Sequence, residues 1–357
     1  MELGHRSMNR RSWKLGLSLI LFALIGIILS AKMITFAFFP LRSSETSSVV
    51  LEIRKGTLPN DITRQFILNK VIEDSRSFIL LGRLTRQWKN IKAGEYRFSA
   101  AMSPMDIFNV LTSGISIAHP ITVREGENIY EIADDMEKSG LTTKREFLAL
   151  CKSKRFIATF PLFAESQPPT LEGFLFPDTY HFNRSQTLEE MVRTMVRTFH
   201  SHWGPQEDKD AVALGMNLHQ VITLASIIEK ETGAAQERPV ISAVFHNRLK
   251  KGMKLQSDPT TIYGIWENYD GNIHKRDLAS KNNYNTYTIN ALPIGPISNP
   301  GKESIQAALH PVNSPYLYFV SHNDGTHQFS TNINDHNQAV KKYQLDPRAR
   351  SGKSARN

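Results

Sequence analysis

Residues 15–31 read "LGLSLILFALIGIILSA", an apolar run broken by Ser and Gly alone, and after Lys32 it resumes as "MITFAFF". A helix needs about 20 such residues to cross a hydrocarbon core of ~30 Å. The segment 15–39 is therefore expected to be a single N-terminal transmembrane helix. Arg6, Arg10, Arg11 and Lys14 precede it. That charge bias predicts a cytoplasmic stub of residues 1–14 and a body on the far side of the membrane. A cleaved signal peptide is the rival. Its apolar core is shorter, about 7–15 residues, and ends at a small-residue cleavage site. "AKMITFAFFP" makes a poor site of that kind, so an uncleaved anchor is expected.

Everything else must fold beyond that anchor. A chain of 357 residues predicts two globular units. The formal charge of +9 sits at the two ends, in the first 14 residues and in the last 17. A nearly neutral body argues against a nucleic-acid groove. The single Cys151 rules out an internal disulfide, and a body of this size has enough core to do without one. "PLRSSETSS" reads as a polar linker over 40–48. The basic end, 346–357, reads as a disordered tail.

A weak repeat follows the linker. "IRKGTLPNDITRQF" (53–66) aligns without gaps on "VREGENIYEIADDM" (123–136), and Arg54/Arg124, Gly56/Gly126 and Ile62/Ile132 coincide. Each copy reads as a strand, a glycine turn and an amphipathic helix. A third fragment, "AGEYRFSAAMSPMDIFNVLTSGI", has the same order, with Ser103-Pro104 as its helix start. Such units look like LysM modules, which bind the sugar backbone of wall polymers; a plain α+β scaffold would give the same pattern. The expectation is a small LysM-like α/β region over 49–160. The α+β remainder, 161–345, alternates helical runs with Pro-, Gly-, Asn- and Tyr-rich loops of the kind that carry function.

The chemistry centres on "VITLASIIEKETG" (221–233). On a helical wheel with Leu218 at 0°, Glu229 falls at about 20°, within the apolar face, while Lys230 and Glu231 fall at about 120° and 220°, outside it. A carboxyl group among apolar neighbours is held protonated more tightly. Such a group can protonate a glycosidic oxygen. The alternatives are that Glu229 pairs with a buried Arg such as Arg248, or caps the helix. Gln256, Ser257, Asp258, Thr260 and Tyr263 follow in "LQSDPTTIYG", and Tyr284, Asn285, Tyr287, Asn290 and Asn299 in "YNTYTINALPIGPISNPG". Amide, hydroxyl and aromatic groups on stiff loops suit a polyhydroxylated substrate. Each of them taken singly could be an ordinary turn residue.

These stretches, with "LEGFLFPDTY", "HPVNSPYLYFV" and "HQFSTNINDHN", resemble the endolytic murein transglycosylases of the YceG-like family, in the family's order from the anchor to about Tyr343. The resemblance implies an inner-membrane protein with a periplasmic body. It would cleave the MurNAc–GlcNAc β-1,4 bond within nascent peptidoglycan strands, leaving a 1,6-anhydro end. The family's catalytic glutamate lies in "ASIIEKET", which by position implies Glu229, with Glu231 left open. Glu231, Arg248, Gln256, Ser257, Asp258, Thr260, Tyr263, Tyr284 and Asn285 are the expected substrate-binding set. Asp258 and Glu172 would be the candidates if a second carboxylate were needed. Glycan strands, the membrane and peptidoglycan synthases are the expected partners, with no cofactor, metal or nucleic acid. His322, His327 and His336 match no ligand spacing, and the sequence has no nucleophile elbow, P-loop or HExxH motif. The rival function is an anchored glycan-binding scaffold without catalysis.

Overall fold

The computed structural model describes residues 10–41 and 47–346. Residues 1–9, most of the expected linker and nearly all of the expected tail lie outside the described residues. The chain is α+β and divides into two compact units, one of residues 1–119 with 183–186 and one of 120–182 with 187–357.

The first unit begins with α1 (Arg10–Phe38). Its apolar part, Trp13–Phe38, has 26 residues, long enough to cross a bilayer at 1.5 Å per residue. The unit continues with β1 (Ser48–Ile53), α2 (Pro59–Leu68), α3 (Ser75–Leu84), β2 (Gly94–Ser99) and α4 (Pro104–Ser113). β1 and β2 pair antiparallel, from Ser48 opposite Ser99 to Ile53 opposite Gly94. Phe66, Phe78, Phe98 and Phe108 are fully buried beneath them. The Phe78 and Phe108 rings stack at 4.4 Å. Each such ring contributes about 1.5–3 kcal/mol through burial. Pro104 opens α4 and Ser103 caps it in a capping box with Asp106, as the Ser-Pro signal predicts. The last turn of α1 belongs to this core: Ala37 is buried in it, and Met33 and Phe36 pack against it.

The second unit opens with β3 (His119–Val123), α5 (Ile129–Lys138), α6 (Lys144–Cys151) and α7 (Lys154–Ile157). It continues with β4 (Asp178–Phe182), α8 (Leu188–Ser201), α9 (Pro205–Ala213), α10 (Leu218–Glu231) and α11 (Arg238–Lys250). After these come α12 (Asp258–Gly264), α13 (Lys275–Ala279), α14 (Lys302–Leu309), the hairpin of β5 (Tyr318–Ser321) and β6 (His327–Ser330), and α15 (Ile333–Val340). Both repeat copies take the expected outline, with Gly56 at φ +84° and Gly126 at φ +79°. Only glycine adopts that turn without strain. The second copy does not stand with the first. Ile121, Val123, Ile129, Ile132 and Met136 share one apolar cluster with Val221, Leu224 and Ile228 of α10. The expected boundary at 160/161 therefore falls inside the second unit.

Candidate active site

α10 starts at Asn217, whose side chain caps the helix in a capping box with Gln220. Every residue from Val221 to Ile228 is buried, so the helix has no solvent face between its first and last turns. Ser226 receives the neighbouring loop: its Oγ accepts from Ile297 N at 3.0 Å, and its carbonyl accepts from Ser298 Oγ at 3.2 Å. The charged residues of the last turn then diverge.

Glu229 points into a structural junction. Its carboxylate accepts from Gly301 N at 3.0 Å and pairs with Arg238 at 3.7 Å. Glu125 stands beside it, and burial followed by the charge of Glu229 pushes the Glu125 carboxyl up. Lys230 reaches the other way and donates to Gly126 O at 3.1 Å. Glu231 faces a cleft of about 650 Å³ lined also by Arg248, Gln256, Asp258, Tyr287, Tyr318 and His336. Ser257 Oγ donates to its Oε1 at 2.6 Å. Burial pushes the Glu231 carboxyl up, and nearby Asp258 adds to this. Ser257, His327 and Arg248 oppose it. The result is a carboxyl group inclined to hold its proton, open to a cavity that can take sugar rings.

Loop residues hold this arrangement from behind. Gln256 has φ +50°, a left-handed backbone that costs a side-chain-bearing residue energy and tends to occur at functional sites. A buried knot keeps it there. Ser257 N donates to Thr286 Oγ1 at 2.9 Å, and Thr260 Oγ1 sits 2.6 Å from Ser257 O and 2.8 Å from Thr286 Oγ1. Asn285 ties the same loops: its amide donates to the carbonyls of Asp277, Leu278 and Ser280, and its oxygen accepts from Thr261 Oγ1. Tyr287 donates to Asp258 Oδ1 at 2.6 Å. Arg248 donates to Leu317 O and Leu255 O at 2.7 and 2.6 Å and lies over the Tyr318 ring at 5.2 Å.

The expected set thus separates. Glu231, Arg248, Gln256 and Asp258 line the cleft. Ser257, Thr260 and Asn285 are buried and hold its wall. Tyr263 and Tyr284 pack on each other at 4.7 Å and are not among the cleft-lining residues. Glu229, the expected catalytic group, is not a lining residue either. Its position inside the apolar arc could not single it out, because α10 is buried on all sides. Glu172 is fully buried and accepts from Ile129 N at 3.0 Å and Asn299 Nδ2 at 3.2 Å. Burial pushes its carboxyl up to about 8. Tyr318 and His336 line the cleft without having been expected to. "YLYFVSH" reads only as a strand, and "NDHN" gives no sign of which cavity it meets.

Among the described residues no group of three or more His, Cys, Asp or Glu could hold a metal ion. His322 bonds Thr326, His327 bonds Glu237 and His336 stacks on Tyr318. Cys151 is buried, and burial pushes its thiol up, away from reactivity.

A family model described as the YceG-like family matches residues 51–342. A Bacillus subtilis protein named endolytic murein transglycosylase is 32% identical over 319 residues, covering 85% of this chain and 87% of that protein. A Streptococcus pneumoniae protein of the same name is 28% identical over 283 residues, covering 71% of this chain and 51% of that protein. The crystal structure of a yceG-like protein from Listeria monocytogenes aligns with a TM-score of 0.57 at 31% identity, covering 83% of this chain and 100% of that one.

Proposed function

This chain belongs to the YceG-like family, and on that premise we propose that it is a membrane-anchored lytic transglycosylase cutting within nascent peptidoglycan strands, with Glu231 as its acid and base. The observation that carries this is the Glu231 carboxyl, pushed toward its protonated form, bonded to Ser257 and open to the large cleft. The choice of Glu231 over Glu229 rests on access. Glu229 is 9% exposed as a side chain and engaged by Arg238 and Gly301.

In the reaction Glu231 gives its proton to the bridging oxygen of the MurNAc–GlcNAc β-1,4 bond. The C1–O bond breaks, and positive charge develops at muramic C1. The Glu231 carboxylate then takes the proton of the muramic C6 hydroxyl, and O6 closes on C1. The products are a free 4-hydroxyl on one fragment and a 1,6-anhydro ring on the other, with Glu231 protonated again. No water is consumed and one carboxyl group suffices. Asp258 supports it by raising the proton affinity of Glu231, and Gln256 and Arg248 shape the cleft. α1 serves as a single-pass anchor in the inner membrane. Basic residues at its start keep the N-terminus cytoplasmic and the body periplasmic, where glycan strands and their synthases are the partners.

The test is mass spectrometry of purified glycan strands after digestion with the full chain in detergent, beside Glu231→Gln and Glu229→Gln. Internal fragments with 1,6-anhydro ends, lost in Glu231→Gln, are expected. Reducing ends instead would mean that water attacks, with Asp258 the second carboxylate. Loss in Glu229→Gln alone would return the catalytic role to Glu229. Intact but bound strands with every protein would leave a glycan-binding scaffold.

A further inference from the structure

The cleft contains a titratable side chain that the reaction does not use. His336, on α15, lines the cavity and stacks on Tyr318 with ring centroids 5.1 Å apart and planes at 25°. The Tyr318 ring is also met by Arg248, whose guanidinium is fixed by two carbonyls. The three side chains therefore form one braced stack. His336 Nδ1 is buried and has no hydrogen-bond partner. Buried polar atoms are nearly always paired, so this nitrogen can gain a partner once a ring entering the cleft shifts the wall beside it. Burial, and then the charge of Arg248, push the imidazole below its ordinary value, which favours the neutral ring. The other titratable groups on the cleft wall are Glu231 from α10, Arg248 from α11, Asp258 from α12, Tyr287 from the loop before α14 and Tyr318 from β5. Tyr287 already donates to Asp258. A neutral ring with a flat face and an unpaired nitrogen suits a pyranose, which offers C–H faces together with hydroxyl and acetamido groups.

We propose that His336, braced by Tyr318 and Arg248, is a substrate-binding residue that seats one N-acetylated pyranose ring in the Glu231 cleft. This rests on the cleft being the glycan site, and it adds a residue that sets affinity rather than chemistry. Protonation would remove the imidazole's acceptor and place a second cation beside Arg248. Binding should then weaken as pH falls below the depressed imidazole value, somewhere under 6.5.

The experiment measures binding of peptide-free glycan strands to the full chain in detergent. The parent carries Glu231→Gln to prevent turnover and is compared with added His336→Ala or His336→Gln. Steady-state kinetics are run in the Glu231 background. His336→Ala should weaken binding about three- to tenfold, the range expected for a lost hydrogen bond, with the loss falling in KM rather than kcat. His336→Gln should restore most of it. Affinity of the parent should drop at acid pH while that of His336→Gln stays flat. Equal affinities overturn the proposal, as does a kcat loss at constant KM, or a thermal-stability loss common to both variants without a change in binding. If the parent binds strands through His336 but the Glu231 enzyme does not cut them, the reaction fails and this proposal stands. If the enzyme cuts and His336 variants bind like the parent, this proposal alone fails. Absence of any binding defeats both.

Discussion

Glu229 and Glu231 lie two positions apart, yet one meets a backbone amide and an arginine and the other meets a cavity. Replacing Glu231 by Gln should cut the cleavage rate by roughly 10²–10⁴, the range for loss of a general acid, while the thermal midpoint changes little. Glu229→Gln should do the reverse: it weakens a buried pair and lowers stability, measured by denaturant titration, more than it lowers the rate per folded molecule. The pH profile gives a separate check. As the proposed acid, Glu231 would have to be protonated to start the reaction, so the rate should fall as pH rises through its raised value. Asp258 is one cause of that rise, so Asp258→Asn should move the alkaline limb to lower pH. At this scale the sequence was legible in part. The motif narrowed the choice to two glutamates, and the wheel favoured Glu229, whereas the proposed role falls to Glu231. The bond from Ser257 to Glu231 that supports the proposal spans 26 positions, and no local pattern encodes it.

Among the elements, the helices were the most legible and the loops the least. The helical runs "ERPVISAVFHNRLKKG" and "GKESIQAALHP" become α11 and α14, each burying a nearly continuous stretch, Ile241 to Phe245 in α11. "LQSDPTTIYG", taken for a loop, contains the short helix α12, with Pro259 at its start, a position where a missing N–H costs nothing. The long loops owe their form to Asn285, Thr286 and Thr260, whose bonds reach across 24–29 residues. The turn at Gly301 provides a test. Its φ is −71°, so backbone freedom is not what requires glycine. A Cβ there would collide with the Glu125 carboxylate. That carboxylate ends an exposed, flexible side chain that can turn aside, so Gly301→Ala should cost less than about 1 kcal/mol. Glu125→Ala in the same chain should recover much of that, which a double-mutant cycle by chemical denaturation would show.

For the molecule as a whole, Glu172 sets an expectation for pH. Its carboxyl is raised from 4.5 to about 8 by burial, so the folded state binds a proton that the unfolded chain releases. The resulting stability is complete below about 4.5 and is lost as pH rises through about 8. Thermal midpoints across that window should slope downward, and Glu172→Gln should flatten the slope. The long apolar helix at the start of the described chain was legible in composition. The allegiance of residues 120–160 was not, because it is decided by which apolar faces meet after the chain has folded. The inward end of α1 was equally hidden. A body beginning at residue 41 lacks Met33, Phe36 and Ala37. It should therefore melt earlier and expose more apolar surface to a reporter dye than the full chain in detergent.

That buried end of α1 has a mechanical meaning. A flexible leash lets its cargo wander over a distance that grows with the square root of its length. Here the end of the helix is built into the core of the first unit through Met33, Phe36 and Ala37. With α1 in a bilayer, the first unit stands over the surface like the arm of a gauge. Its height would then be set by that packing.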